Sequence, residues 1–257
     1  MLRKVCMGIS LGLLIAANAS AQVGSPNMLI SGEVLSKYIW NGINRVESRG
    51  LSDGPVFQPR IDMGVGGSRL SAHVLGSFTL DGEPQLHEAI YGLSTERAIS
   101  PLVSMFLGYD YYDDQASVVA ENLTDQHEVT VGLRMRTPSG VVPSAVVKYE
   151  NPVLDGSDSY YVAEGSLTQS VPVVPAVAGA VGVNVSWKTS VLYHTSIKVN
   201  DVEVVQSGVT AWQFGLSSEI LAGGVLVVPQ INYQVTVDDA INNENPFWAG
   251  LGVAYAF

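Results

Sequence analysis

Along most of this chain, apolar side chains take every second position, and the positions between them carry charges, amides, hydroxyls or glycine. In the stretch 126–136, His127, Val129, Val131, Leu133 and Met135 alternate with Gln126, Glu128, Thr130, Gly132, Arg134 and Arg136. Val103, Met105, Leu107, Tyr109 and Tyr111 alternate with Ser104, Gly108 and Asp110. In the last segment, Phe247, Ala249, Leu251, Val253, Tyr255 and Phe257 share one side, and Gly250, Gly252, Ala254 and Ala256 share the other. A period of two belongs to a β-strand, because successive side chains point to opposite faces. On a helix this spacing would scatter the polar groups around the circumference. A soluble β-sandwich alternates as well. Here one face is almost wholly apolar while the other carries charges. Aromatics gather near segment ends (Tyr38, Trp40, Tyr109 to Tyr112, Tyr160, Tyr161, Trp187, Trp212, Phe247). Together these features predict an all-β, antiparallel, up-and-down transmembrane barrel with aromatic girdles.

Composition narrows the function classes. Lys and Arg number 13 against 24 Asp and Glu, a formal net charge of −11, and charged residues are only 14% of the chain. No basic footprint exists to meet nucleic-acid phosphates. An apolar content of 47% argues against bulk disorder, and one cysteine cannot make a disulfide scaffold. Two uncharged stretches, 165–187 and 220–237, are long enough for a spanning helix. Pro172 and Pro175 break the first, and the second places Gln230, Asn232 and Gln234 two apart, in strand fashion.

The first 21 residues read as an export address. Arg3 and Lys4 precede the short apolar stretch Val5 to Ala17, and Ala19-Ser20-Ala21 supplies small residues for cleavage before Gln22. Cys6 lies inside it, so residues 22–257 form the expected single barrel domain, cysteine-free, with a formal charge of −13 once Arg3 and Lys4 are removed.

Twelve strand segments are expected, at 28–42, 55–66, 69–80, 86–97, 101–112, 125–137, 140–150, 159–171, 176–189, 209–220, 224–236 and 246–257. Ten and fourteen strands are the alternatives. Long and short connections alternate, as extracellular loops and periplasmic turns do when both termini are periplasmic. Pro143 and Pro229 fall inside segments, which predicts bulges or later starts. Ser190 to Gly208 holds Ile197, Val199, Val202, Val204 and Val205, enough for a projecting hairpin.

If apolar positions meet lipid, the opposite parity faces a lumen. The expected lining is then basic at Lys37, Arg60, Arg134, Arg136, Lys148 and Lys188. It is acidic at Glu33, Asp62, Glu88, Glu96, Asp110, Glu128, Glu150, Glu164 and Glu219. A lipid-facing Arg or Lys at the bilayer midplane would cost about 2–4 kcal/mol. Charge on a wall of this kind gives a transverse field that orients polar solutes, and the acidic surplus favours cations weakly. Further acids, Asp113, Asp114, Glu121 and Asp125, suit a solvated rim, without the spacing of a calcium loop. The competing expectation is a lumen plugged by salt bridges, since twelve strands fall between self-filled barrels and open porins.

Chemistry-bearing motifs are sparse. Ser71 and His73 stand two apart, as in some outer-membrane lipid hydrolases, but their parity points inward and no third member is evident in the sequence. His87, His127 and His194 are scattered, and neither metal nor cofactor is expected.

The segment Ser36-Lys37-Tyr38-Ile39-Trp40-Asn41-Gly42-Ile43, followed by Ser52-Asp53-Gly54-Pro55-Val56-Phe57-Gln58-Pro59, resembles the opening of TorF-type porins and related outer-membrane barrels. Asn41 stands where that family usually has Arg. The motifs cover about thirty residues; beyond them the likeness is one of barrel texture. The resemblance implies a pore and brings no substrate and no catalytic residues. Tyr255 and Phe257 resemble the terminal signal such barrels present to the barrel assembly machinery. The expected function is passive diffusion of small polar or ionic solutes across a bacterial outer membrane. A non-conducting structural or adhesive barrel is the alternative, and a lipid hydrolase the third reading.

Overall fold

The structure is a computed structural model that describes residues 28–46, 54–64, 70–80, 87–114, 125–152, 158–174, 181–199, 202–239, 241–242 and 244–257. The expected export segment, Glu121, and Ser52 and Asp53 lie outside these residues. Twelve long strands close into one barrel: β1 (Met28–Leu35), β4 (Val56–Gly64), β5 (Leu70–Thr79), β6 (His87–Ala98), β7 (Val103–Asp114), β8 (Gln126–Met135), β9 (Val141–Pro152), β10 (Tyr160–Val174), β11 (Gly182–His194), β14 (Gly208–Ala222), β15 (Val225–Thr236) and β16 (Phe247–Ala256). Each neighbour in sequence pairs antiparallel with the next, and β1 pairs with β16 to close the cylinder. Closure leaves no sheet edge, as hydrocarbon demands of a strand-built span. Two small hairpins stand apart from the wall: β2 (Ile39–Trp40) with β3 (Ile43–Asn44), and β12 (Ile197–Val199) with β13 (Val202–Val205). The second is the hairpin expected between Ser190 and Gly208.

The alternation sorts the wall. Ile30, Val34, Phe57, Ile61, Val74, Leu93, Leu107, Val131, Leu133, Val147, Leu216, Ile231 and Val253 are exposed on the outside. Their sequence neighbours turn inward and are buried or half-buried. Towards the end bearing the long connections, the outside carries Tyr91, Tyr109, Tyr111, Tyr149, Tyr161, Tyr193, Trp212, Tyr233 and Phe247, the girdle the sequence leads one to expect. Four aromatics expected in it are elsewhere: Tyr38, Trp40 and Tyr112 are buried inside the barrel, and Tyr160 turns inward against Val162, Leu192 and Ala211.

Strand ends differ from expectation by more than three residues in two strands, for physical reasons. The first strand stops at Leu35 rather than 42, because residues 39–44 leave the wall and fold back on themselves. The strand expected at 176–189 runs from Gly182 to His194: Ser190, Leu192 and His194 continue the buried inward series while Tyr193 is exposed outside. The prolines are absorbed by gaps in pairing. Pro143 lies beyond the last β8–β9 pair, Arg134 with Ser144. Pro229 faces an interruption in the β14–β15 ladder between the pairs Ser217–Gln230 and Ile220–Val227, without a register shift. On those sides a missing N–H removes no ladder bond, while on the other sides Pro143 stands opposite Leu167 and Pro229 opposite Leu251. A bulge does occur at Pro172.

Candidate functional site

The inward hairpin grows from a local signal. Ser36 ties the end of β1 to Ala249 through reciprocal bonds of 2.8 and 2.9 Å, and the chain then turns into the lumen. Trp40-Asn41-Gly42-Ile43 makes a two-residue turn with φ of 50° at Asn41 and 84° at Gly42. Positive φ at both central positions is the geometry for which Asn-Gly is favoured in hairpins. At Gly42 a Cβ would lie 3.0 Å from Leu192 Cδ1, so bulk as well as φ selects glycine.

The hairpin is seated by apolar residues at inward positions. Tyr38, Trp40 and Val46 pack with Val56, Leu75, Ile90 and Tyr112. Ile39 packs with Leu35 and Trp248. It is also pinned by polar bonds on opposite walls. On one side Arg45 Nε donates to Glu88 Oε1 at 2.8 Å, with a second contact from its terminal nitrogen, and Tyr38 donates to the other Glu88 oxygen at 3.1 Å. Asn41 donates to Glu150 at 2.9 Å, and Gln126 donates to the second Glu150 oxygen at 2.5 Å. On the other side Gln234, on β15, donates to the Gly42 carbonyl at 2.8 Å. The Arg45 guanidinium lies over the Trp40 ring at 4.4 Å and the Tyr112 ring at 5.1 Å. Trp40 donates to the Tyr112 hydroxyl, which donates to Glu128 at 3.3 Å. Residues 38–46 therefore bridge the lumen at the long-loop end from β6, β8 and β9 across to β15.

Away from the hairpin the inward charges sit in pairs along the wall. Arg60 and Asp62 form a two-pronged pair at 2.8 and 2.6 Å. Lys148 meets Glu128 at 3.4 Å, Lys188 meets Glu164 at 2.5 Å, and Arg134 meets Glu96 at 3.5 Å. Glu33 is held by Gln230 and Glu219 by Asn184, amides in both cases. Thirteen of the fifteen charged residues expected on the lumen face thus stand at inward strand positions. The other two lie past strand ends. Lys37 follows β1 and pairs with Glu244 at 2.7 Å at the long-loop rim, and Arg136 follows β8, exposed at the short-turn rim.

Sequence reasoning missed Arg45 and Asn41 as lumen residues. The available signals were the Asn-Gly turn and the apolar residues at inward parity (Leu35, Val56, Leu75, Ile90), which a water-filled wall does not need. It also missed a partner for His73. Its Nε2 lies 2.9 Å from Asp110 Oδ1. The two meet across Gly92 on β6, where a Cβ would come within 2.0 Å of that carboxylate. The Ser71 hydroxyl bonds instead to the Ser94 hydroxyl at 2.9 Å. Of the other histidines, His127 faces outward and bonds Tyr109 at 2.7 Å, and His194 is buried against Thr210. Among the described residues no three His, Cys, Asp or Glu side chains group to hold a metal. At the C-terminus, Tyr255 and Phe257 are exposed, their rings edge-on at 4.8 Å.

No family model and no curated protein sequence matches the chain. Solved structures do resemble it. The KdgM porin superposes with a TM-score of 0.55 at 7% identity, over 89% of this chain and 99% of the porin. The NanC porin gives 0.51 at 9% identity, over 89% and 98%. LpxR from Salmonella typhimurium gives 0.50 at 7% identity, over 89% and 100%. At these identities the likeness is one of fold: a closed, twelve-stranded antiparallel barrel of the outer-membrane kind.

Proposed function

We propose that this chain is an outer-membrane channel of the porin type, passing small polar or ionic solutes with a weak bias to cations, and stopped at its long-loop mouth by residues 38–46. The observation that carries the reading is the segregation of charge. Apolar side chains cover the outside of a closed cylinder, while thirteen of the fifteen charged residues expected inside stand at inward strand positions. Such a wall replaces hydrocarbon with water and fixed charge, which lowers the barrier without any chemistry. The long loops face the exterior and the termini the periplasm. The leading segment is removed before Gln22, and Tyr255 and Phe257 are read by the assembly machinery of a Gram-negative envelope. The TorF-type resemblance supports the same reading, since the segment carrying its first motif includes the inward hairpin. Proteoliposome swelling in isosmotic small solutes tests it: swelling that increases when residues 38–46 are replaced by a short Gly-Ser link supports a stopped channel, and no swelling from either protein argues against one.

Two observations favour other readings. The hairpin bonds to opposite walls, which suits a non-conducting structural or adhesive barrel; silence of the hairpin-replaced protein supports that. The His73–Asp110 contact supplies part of a hydrolytic arrangement, although Ser71 is bonded to Ser94. Lipid hydrolysis lost in Ser71→Ala and in His73→Ala would establish that reading.

A further inference from the structure

Charge on the lumen wall is not matched evenly. Each lysine and arginine at an inward strand position contacts a carboxylate on the wall, and Arg45 of the hairpin contacts Glu88. Glu150, Glu33 and Glu219 are different: their partners are amides, and among the described residues no cationic side chain pairs with any of them; the amides on Glu150 include Asn41 of the hairpin, whereas Glu33 and Glu219 are held by the wall alone. These last two belong to one continuous polar patch. Ser186 on β11 stands opposite Ser217 on β14, and Ser217 stands opposite Gln230 on β15. Gln230 reaches Glu33 on β1 across Gly250 of β16, where a Cβ would lie 3.1 Å from both side chains. Glu219 lies two residues from Ser217 on the same face, bonded to Asn184 at 3.2 Å. Among the described residues the hydroxyls of Ser186 and Ser217 find no partner, although the two residues are only 1% and 4% exposed. A buried hydroxyl is unfavourable without a partner. A hydroxylated cation beside this wall can supply hydrogen bonds there and positive charge at Glu33 and Glu219.

We infer that this patch of β11, β14, β15 and β1 is a solute-binding face for small hydroxylated ammonium compounds. The carboxylates take the ammonium group, and the serines and amides take hydroxyls. The inference rests on the channel reading for its biological use, but not for the binding itself. The lysines elsewhere on the wall do not compete for such a solute, being cations already matched to Glu128 and Glu164.

Three probes of similar size separate charge from shape: protonated glucosamine, neutral N-acetylglucosamine and anionic glucuronate. Titration calorimetry on the detergent-solubilised protein should rank glucosamine first, glucuronate last. Glu33→Gln and Glu219→Gln should each weaken glucosamine about tenfold, the size of one charge-assisted bond, and leave N-acetylglucosamine nearly unchanged. Ser71→Ala, outside the patch, should leave all three unchanged. Should a glutamine variant fail to fold, the wild-type ranking alone decides. Equal binding of the three probes, no binding, or preference for glucuronate overturns the inference. Currents in planar bilayers separate this from the channel reading. The expected ranking with a silent bilayer leaves the site standing and removes the channel; open currents without the ranking do the reverse.

Discussion

The two halves of the lumen are lined by the same strands and filled in different ways. Towards the long loops the inward positions include Leu35, Val56, Leu75, Ile90, Val162 and Leu192, and residues 38–46 pack among several of these. Towards the short turns the inward positions include Ser31, Ser71, Ser94, Ser144, Ser166, Thr168 and Ser186, interspersed with Leu29, Phe106 and Val228, and charges are held in local pairs. Strand parity decides only which side chains point inward. Whether the space is closed depends on a turn formed after the first strand, on the apolar seats that receive it, and on Glu88 and Glu150, which pin it. The hairpin is thus a local device seated on the part of the wall whose inner face is most apolar.

The sharpest way to break this contrast is at Arg45. Arg45→Ala leaves Glu88, fully buried, without its guanidinium. Breaking a buried pair costs about 3–5 kcal/mol. Urea unfolding in lipid vesicles should show a loss of that order, and a change under about 1 kcal/mol, the scale of an exposed pair, would mean the hairpin is not part of the folded unit. The two faces of β8 test the wall itself. Val131→Arg, on the outside, should cost about 2–4 kcal/mol in the same assay. Thr130→Arg, inside, should cost distinctly less, and equal costs would contradict the assignment of sides. Gly42→Ala forces a Cβ into a positive-φ turn 3.0 Å from Leu192. It should cost about 1–3 kcal/mol and loosen the stopper without altering the wall. The smallest effect belongs to the rim: Lys37→Ala removes a partly exposed pair with Glu244 and should change stability by less than about 1 kcal/mol.

Much of the fold could be read from residues alone because period-two alternation survives in every long strand. The twelve segments and the inward parity of Glu33, Arg60, Glu128 and Lys148 follow from spacing. What spacing could not carry was the fate of Tyr38, Trp40 and Asn41. The alternation runs on past Leu35 into the hairpin, so residues up to 42 read as more wall, and the aromatics read as girdle. The Asn-Gly turn was the local clue, but turns of that type suit an external loop equally well. The contact of His73 with Asp110 was hidden for another reason: it joins β5 to β7 across a glycine of the intervening strand, a relation no linear pattern expresses.

Single-channel recording in planar bilayers, comparing the natural chain with one in which a short Gly-Ser link replaces residues 38–46, is the most direct test of a stopped channel. A stopped barrel predicts stepwise currents from the altered protein and rare or much smaller steps from the natural one. Equal conductance from the two would contradict the role given to the hairpin, and correctly folded but silent altered protein would contradict the channel.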